Sequence, residues 1–145
     1  MRADRVKPGM LVRPTGAGWW LVGGVIPENT PGFVRLRFAD GRDPMQFIAR
    51  DEVEAVRLTE AQERALRMVA SGGVHLYSSP GIPWRWMVDG QWQPLAGRPY
   101  DTIAEFDLVT VGGEMLADGR KALRRDVTVT PSGRALLDIL GTEKP

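Results

Sequence analysis

The chain has no cysteine and a single histidine. Without thiols there is no disulfide framework, no thiolate zinc site and no cysteine nucleophile. No apolar run approaches the roughly 18 residues that span a bilayer. The opening Met-Arg-Ala-Asp-Arg lacks the apolar core of a secretory signal, so the expected location is the cytoplasm. An excess of one charge is also missing: 19 Lys and Arg stand against 18 Asp and Glu, a formal net charge of +1. That excludes a polybasic, histone-like binder, and any contact with nucleic acid has to come from a local patch. Arginine outnumbers lysine, which a GC-rich genome produces as readily as phosphate recognition does, so arginine position rather than identity carries the argument.

Catalytic groupings are lacking as well. There is no glycine-rich phosphate loop and no nucleophile with a base beside it, and the carboxylates are scattered through basic surroundings. His75 lies in a short strand pattern with no acidic cluster at metal spacing. The reading is a non-enzymatic protein with no cofactor and no metal.

What is present divides at about residue 57. Residues 1–57 read as short strands with turns between them: Met10 to Arg13, Trp19 to Ile26, Phe33 to Ala39, Met45 to Ala49 and Val53 to Leu58. Phe33 to Ala39 alternates, with Val34, Leu36 and Phe38 on one side and Arg35 and Arg37 on the other, the period of a half-buried strand. Asp40-Gly41 is a turn pair that tolerates positive φ. Five short strands with a Gly or Pro turn at their junctions suggest a small barrel. The runs Val-Lys-Pro-Gly-Met-Leu-Val-Arg, Gly-Phe-Val-Arg-Leu-Arg-Phe-Ala-Asp-Gly and Arg-Asp-Glu-Val-Glu-Ala-Val resemble SH3-like barrels of the Tudor or KOW kind. Such barrels serve nucleic-acid and protein partners alike. Trp19 and Trp20 are consecutive, so one belongs in the core and the other on or near the surface, either covered or serving as a stacking platform. Arg35 and Arg37 form either a small phosphate-facing ridge or a solvated face near Asp40 and Asp43.

Residues 58–145 begin with a capping box, Thr59 with Gln62, and a helix closed by Gly72-Gly73. Val74 to Tyr77 is a strand, Ser78 to Pro83 a loop, and Trp84 to Leu95 a hairpin turning at Asp89-Gly90. That turn pairs Val88 with Gln91, Met87 with Trp92 and Trp86 with Gln93, leaving aromatic residues on both faces. Gly97 to Val109 is a second helix with an apolar stripe of Tyr100, Ile103 and Phe106. A hairpin follows, carrying Arg120, Lys121, Arg124 and Arg125 against Glu114, Asp118 and Asp126. Thr130 caps a closing helix with Pro131 at its first position and Leu136, Leu137 and Leu140 to dock it.

Helix, basic hairpin and capped helix resemble the C-terminal half of a winged helix-turn-helix of the MarR-like and phage-regulator kind, over about residues 58–74 and 97–140. The run Val-Thr-Val-Thr-Pro-Ser-Gly-Arg-Ala-Leu-Leu matches best, and Asp107 stands where that family prefers glycine. The tryptophan hairpin replaces the family's second helix. The resemblance implies a recognition helix whose start, Arg98, Tyr100 and Thr102, faces bases in the major groove, and a wing whose four cations hold phosphates. Four such contacts give a salt slope of roughly −3 to −4 on B-DNA. Against this stand Asp101, Glu105 and Asp107, which repel phosphates.

The fold expected is therefore α+β and mainly β: an SH3-like barrel over 1–57, then a variant winged helix with a hairpin insertion over 58–145. The function expected is double-stranded DNA binding, as a transcription regulator or accessory factor of phage or mobile-element type. The alternative is a protein-interaction module that binds its partner through Trp19, Trp20, Trp84, Trp86 and Trp92.

Overall fold

The structure is a computed structural model that describes residues 1–14, 16, 18–92, 97–117, 119 and 121–143, the last two by backbone only. It is α+β and mainly β, with two antiparallel sheets. Contacts divide the chain into two compact units, Met1–Leu58 with Arg134–Pro145, and Thr59–Gly133. The sequence reading drew the boundary one residue earlier and kept the whole closing helix with the second part.

The first unit opens with a 3-10 turn, Ala3–Arg5, followed by β1 (Leu11–Val12), β2 (Trp20–Pro27), β3 (Phe33–Phe38), β4 (Met45–Ile48) and β5 (Ala55–Val56). Each strand pairs antiparallel with its neighbours in the order β4-β3-β2-β1-β5. In β3 the alternation holds: Leu36 and Phe38 are buried and Arg37 is exposed. These two pack with Val6, Met10, Val12 and Val22, and Trp20, Val25, Met45 and Phe47 close over them. A bulge at Gly23 bends β2, and a Cβ there would lie 3.2 Å from Ala39 Cα. The closed barrel expected from the strand count does not form, and β4 and β5 remain the two ends of an open sheet. With β1 and β5 only two residues long, too few ladder bonds exist to carry the stagger that closure requires.

The second unit holds α1 (Glu60–Ala70), β6 (Val74–Ser79), β7 (Ile82–Val88), β8 (Gln91–Trp92), α2 (Arg98–Glu105), β9 (Val109–Val111), β10 (Met115–Ala117) and β11 (Ala122–Val129). Its sheet runs β10-β11-β6-β7-β8, with β9 also on β11. Thr59 and Gln62 form the reciprocal cap, at 3.0 and 3.2 Å. The hairpin turns at Asp89 and Gly90, with φ of 49° and 78°, and pairs Met87 with Trp92 and Val88 with Gln91. The partner expected for Trp86, Gln93, and the hairpin's end at Leu95 lie outside the described residues.

Two boundaries of the second unit differ from expectation, and in the first unit the strand expected over Val53 to Leu58 shortens to Ala55–Val56. Ser78 to Pro83 is not a loop, because β6 runs on to Ser79, β7 starts at Ile82, and only Pro80 and Gly81 turn. Pro83 is tolerated there because it falls within the register shift between Tyr77 and Ser79, where a missing N–H interrupts no regular ladder. Helix α2 stops at Glu105 rather than reaching Val109. Asp107 takes a φ of 59°, its N–H donates to Ala104 O at 3.1 Å, and Leu108 N–H donates to Ile103 O at 3.0 Å. This is a Schellman closure with aspartate in the left-handed position. The stripe of Tyr100, Ile103 and Phe106 is buried as its spacing predicts. Helix α3 (Pro131–Glu143) closes the chain, with Thr130 Oγ1 accepting from Gly133 N–H at 3.1 Å and Leu136 and Leu140 buried.

Candidate nucleic-acid interface

The basic hairpin is part of a sheet, and that determines where its cations point. Strand β11 pairs on one edge with β10 and β9 and on the other with β6. Arg124 and Arg125 therefore sit within a central strand, and as consecutive residues they face opposite sides. Arg124 is exposed, and its Nε donates to Asp126 Oδ1 at 2.9 Å. Arg125 donates through Nη2 to Glu114 Oε1 at 3.0 Å, and its guanidinium lies 5.0 Å from the Trp84 ring centroid. The Arg125 Nε is buried without a hydrogen-bond partner among the described residues. Lys121 is exposed at the tip, and Arg120 lies outside the described residues. Of the described hairpin cations, Lys121 and Arg124 are thus exposed, and Arg125 is half-buried with its guanidinium turned toward an aromatic ring.

At the start of α2, Arg98 is exposed and Thr102 Oγ1 donates to the Arg98 carbonyl at 3.0 Å. Tyr100, expected to approach bases, is 7% exposed and stacks on Trp86 with ring centroids 5.4 Å apart. It belongs to the apolar stripe that docks the helix, so its ring is turned away from any groove. Burial, and secondarily Asp89, pushes its hydroxyl above the ordinary tyrosine pKa. Trp86 is correspondingly 8% exposed, so little of its ring is left to meet a partner. Its Nε1–H donates to Asp101 Oδ1 at 2.7 Å, which gives that acid a structural role.

In the first unit, Arg35 Nε pairs with Glu28 at 2.7 Å, and Arg37 Nη2 donates to Gly23 O at 2.9 Å. Both arginines of the expected ridge are thus engaged, although Asp40 pairs with Arg42 instead. Trp20 packs edge-on against Phe38 at 5.1 Å, with the Arg42 guanidinium 4.7 Å from its centroid, and Arg13 lies 5.7 Å from the Trp19 ring.

The remaining tryptophans, Trp84, Trp86 and Trp92, lie on β7 and β8 of the second sheet. Trp92 is 58% exposed and Trp84 36%. Arg85 lies 5.3 Å from the Tyr77 centroid and 5.8 Å from that of Trp92. Trp84, Arg85, Trp86, Trp92, Arg98 and Asp101 line a cleft of about 430 Å³. Sequence reasoning passed over Arg85. The signal was available in the period of two, which puts Arg85 on the side of Met87 and hence of Trp92.

His75 sits in β6 opposite Met87 and Asp126, with its ring 6.5 Å from Tyr77. Burial and then Arg124 lower its pKa, and Asp126 opposes them. Among the described residues no three His, Asp or Glu side chains gather where they would hold a metal, and no helix is long and apolar enough to cross a membrane. No family model, curated protein or solved structure matches the chain.

Proposed function

We propose that the protein is a non-enzymatic, cytoplasmic DNA-binding protein, a regulator or accessory factor of the kind that phages and mobile elements carry. The observation that carries this is the order of elements around β11. Helix α1 leads into β6, which pairs with the return strand of the hairpin, α2 precedes the outer strand β9–β10, and α3 follows. That order supports a variant winged helix in which β7 and β8 replace one helix. The order β4-β3-β2-β1-β5 likewise supports an SH3-like origin for the first sheet. Lys121 and Arg124 hold phosphates from the hairpin together with Arg120, and Arg98 and Thr102 approach the bases. Residues 59–133 carry eight Arg and Lys against nine Asp and Glu, so affinity comes from placement rather than overall charge. Fluorescence anisotropy on duplex DNA across a salt series tests this reading. Lys121→Glu with Arg124→Glu is expected to weaken binding, and unchanged binding removes the hairpin from the interface.

A second reading has its own observation, the exposure of Trp92 beside Arg85 and of Trp84 beside Arg125. Exposed tryptophan beside arginine is typical of protein-interface hot spots. In this reading the chain is a protein-interaction module. Sedimentation showing a stoichiometric complex that Trp92→Ala weakens, with no DNA affinity, selects it.

A further inference from the structure

A cationic groove lies in the first unit, built from residues that the hairpin does not include. Met1, Arg2, Arg5, Lys7, Met10 and Arg57 line a shallow groove of about 910 Å³. The backbone that carries Arg2, Arg5 and Lys7 is fixed. Ala3 N–H donates to Asp51 O at 2.8 Å, Asp4 N–H to Ala49 O at 3.0 Å, and Val53 N–H to Met1 O at 2.7 Å. Ala3 and Val6 are buried, so the cations project from an anchored turn rather than a loose end. Arg57 joins them one residue beyond β5, and Met10 forms the floor. No carboxylate is among the described lining residues. Asp4 is held by Arg2 at 2.6 Å, and Glu52 by the Met1 amino group at 2.7 Å. Arg5 and Lys7 are exposed and carry no ion pair among the described residues. Residues 1–58 hold nine Arg and Lys against seven Asp and Glu, the reverse of the balance in the second unit.

We infer that this groove binds the phosphodiester backbone of nucleic acid, so that the first unit supplies phosphate contacts of its own. The inference rests on the DNA-binding reading and adds a surface to it. A protein partner would be anchored by aromatic side chains in pockets, and the groove has none. A membrane surface would call for an apolar wedge beside the charges, and Met1 is the only exposed apolar residue among those lining it. Preorganised cations spread along an open groove suit a repeating anion, and arginine forks suit its paired oxygens.

The test uses the full chain and a short labelled DNA duplex, with anisotropy measured over a salt series. Arg5→Gln with Lys7→Gln removes two contacts and is expected to weaken binding and shallow the slope of log K against log salt by about 1.8. Lys7→Gln alone is expected to give about half that change, and equal unfolding midpoints confirm that the variants fold. An unchanged slope and affinity, while Lys121→Glu with Arg124→Glu weakens binding, overturns the groove and leaves the proposed function standing. The opposite pattern supports the groove and removes the hairpin. No duplex binding by the unsubstituted protein overturns both. Polyglutamate displacing the duplex as well as unlabelled DNA of equal charge overturns the assignment to phosphodiesters.

Discussion

Thr130 Oγ1 donates to the main-chain carbonyl of Asp107 at 2.7 Å while accepting from Gly133 N–H at 3.1 Å. One hydroxyl thus joins the corner after α2 to the first turn of α3, and Thr130 N–H adds a bond to Leu108 O at 3.0 Å. Thr130→Val keeps the side-chain shape and loses both hydroxyl bonds, an expected cost of about 1–2 kcal/mol. Thr130→Ser retains the hydroxyl and is expected to lose far less. Urea unfolding followed by tryptophan fluorescence measures both, and equal midpoints for Val and Ser would show that the hydroxyl contributes nothing.

Gly133 lies under that cap. A Cβ on it would overlap the Leu108 carbonyl oxygen and come within 2.7 Å of Val129 Cγ1. In an exposed helix interior, glycine to alanine stabilises by roughly 1 kcal/mol. Here the sign reverses, because the first turn of α3 would have to back away from Leu108. Gly133→Ala is expected to destabilise by about 1–3 kcal/mol, and a raised melting temperature would refute the close approach.

Asp107 has the left-handed conformation at the end of α2, with φ of 59°. Aspartate tolerates it better than most residues, but glycine adopts it without steric cost. Asp107→Gly is expected to stabilise the protein by roughly 0.5–1 kcal/mol, and Asp107→Val to destabilise it by a similar amount or more. Thermal unfolding of the three proteins should rank them Gly, Asp, Val.

Asp107 also shows what the sequence made legible. Its resemblance-based position, where glycine is preferred, is the residue that needs positive φ, yet helical periodicity alone carried α2 past it. Several local signals carry over to the structure: the Thr59–Gln62 cap, the Asp89-Gly90 turn, the alternation from Leu36 to Phe38 and the Thr130 cap all depend on neighbours in sequence. Long-range pairing was not legible. Closure of the first sheet depends on how far two-residue strands can pair, and the groove cations meet only through bonds such as Ala3 to Asp51. The hairpin cations lay between these cases. Period two already separates Arg124 from Arg125, whereas the run of charge alone groups them. Tyr100 fits both the stripe and the groove by its position in sequence, and burial gives it to the stripe.

His75 makes stability depend on pH with a definite sign. Burial first and Arg124 second hold its folded pKa below 6.5, with Asp126 opposing. The unfolded chain therefore takes up the proton more readily, and protonation favours unfolding. Its contribution is complete above about 6.5 and is lost as pH falls through the lowered folded value. Unfolding midpoints at about pH 7.5 and about pH 5.5, where carboxylates stay ionised, should fall more for the unsubstituted chain than for His75→Gln. A parallel fall in both would assign the change to other groups.

The Trp86–Asp101 bond separates structure from binding on α2. Trp86 Nε1–H donates to Asp101 Oδ1 at 2.7 Å beneath the stack on Tyr100. Asp101→Asn keeps an acceptor oxygen, so the hydrogen bond survives in neutral form and stability should change by less than about 1 kcal/mol. What Asp101→Asn removes is a negative charge three residues from Arg98, at the helix start proposed to meet DNA. With repulsion toward phosphates relieved, duplex affinity should rise several-fold at low salt, and the gain should shrink as salt screens it. A module that binds only protein through Trp84 and Trp92 predicts no such salt-dependent gain on DNA. Unaltered duplex affinity in Asp101→Asn, with the fold intact, would place α2 outside the interface.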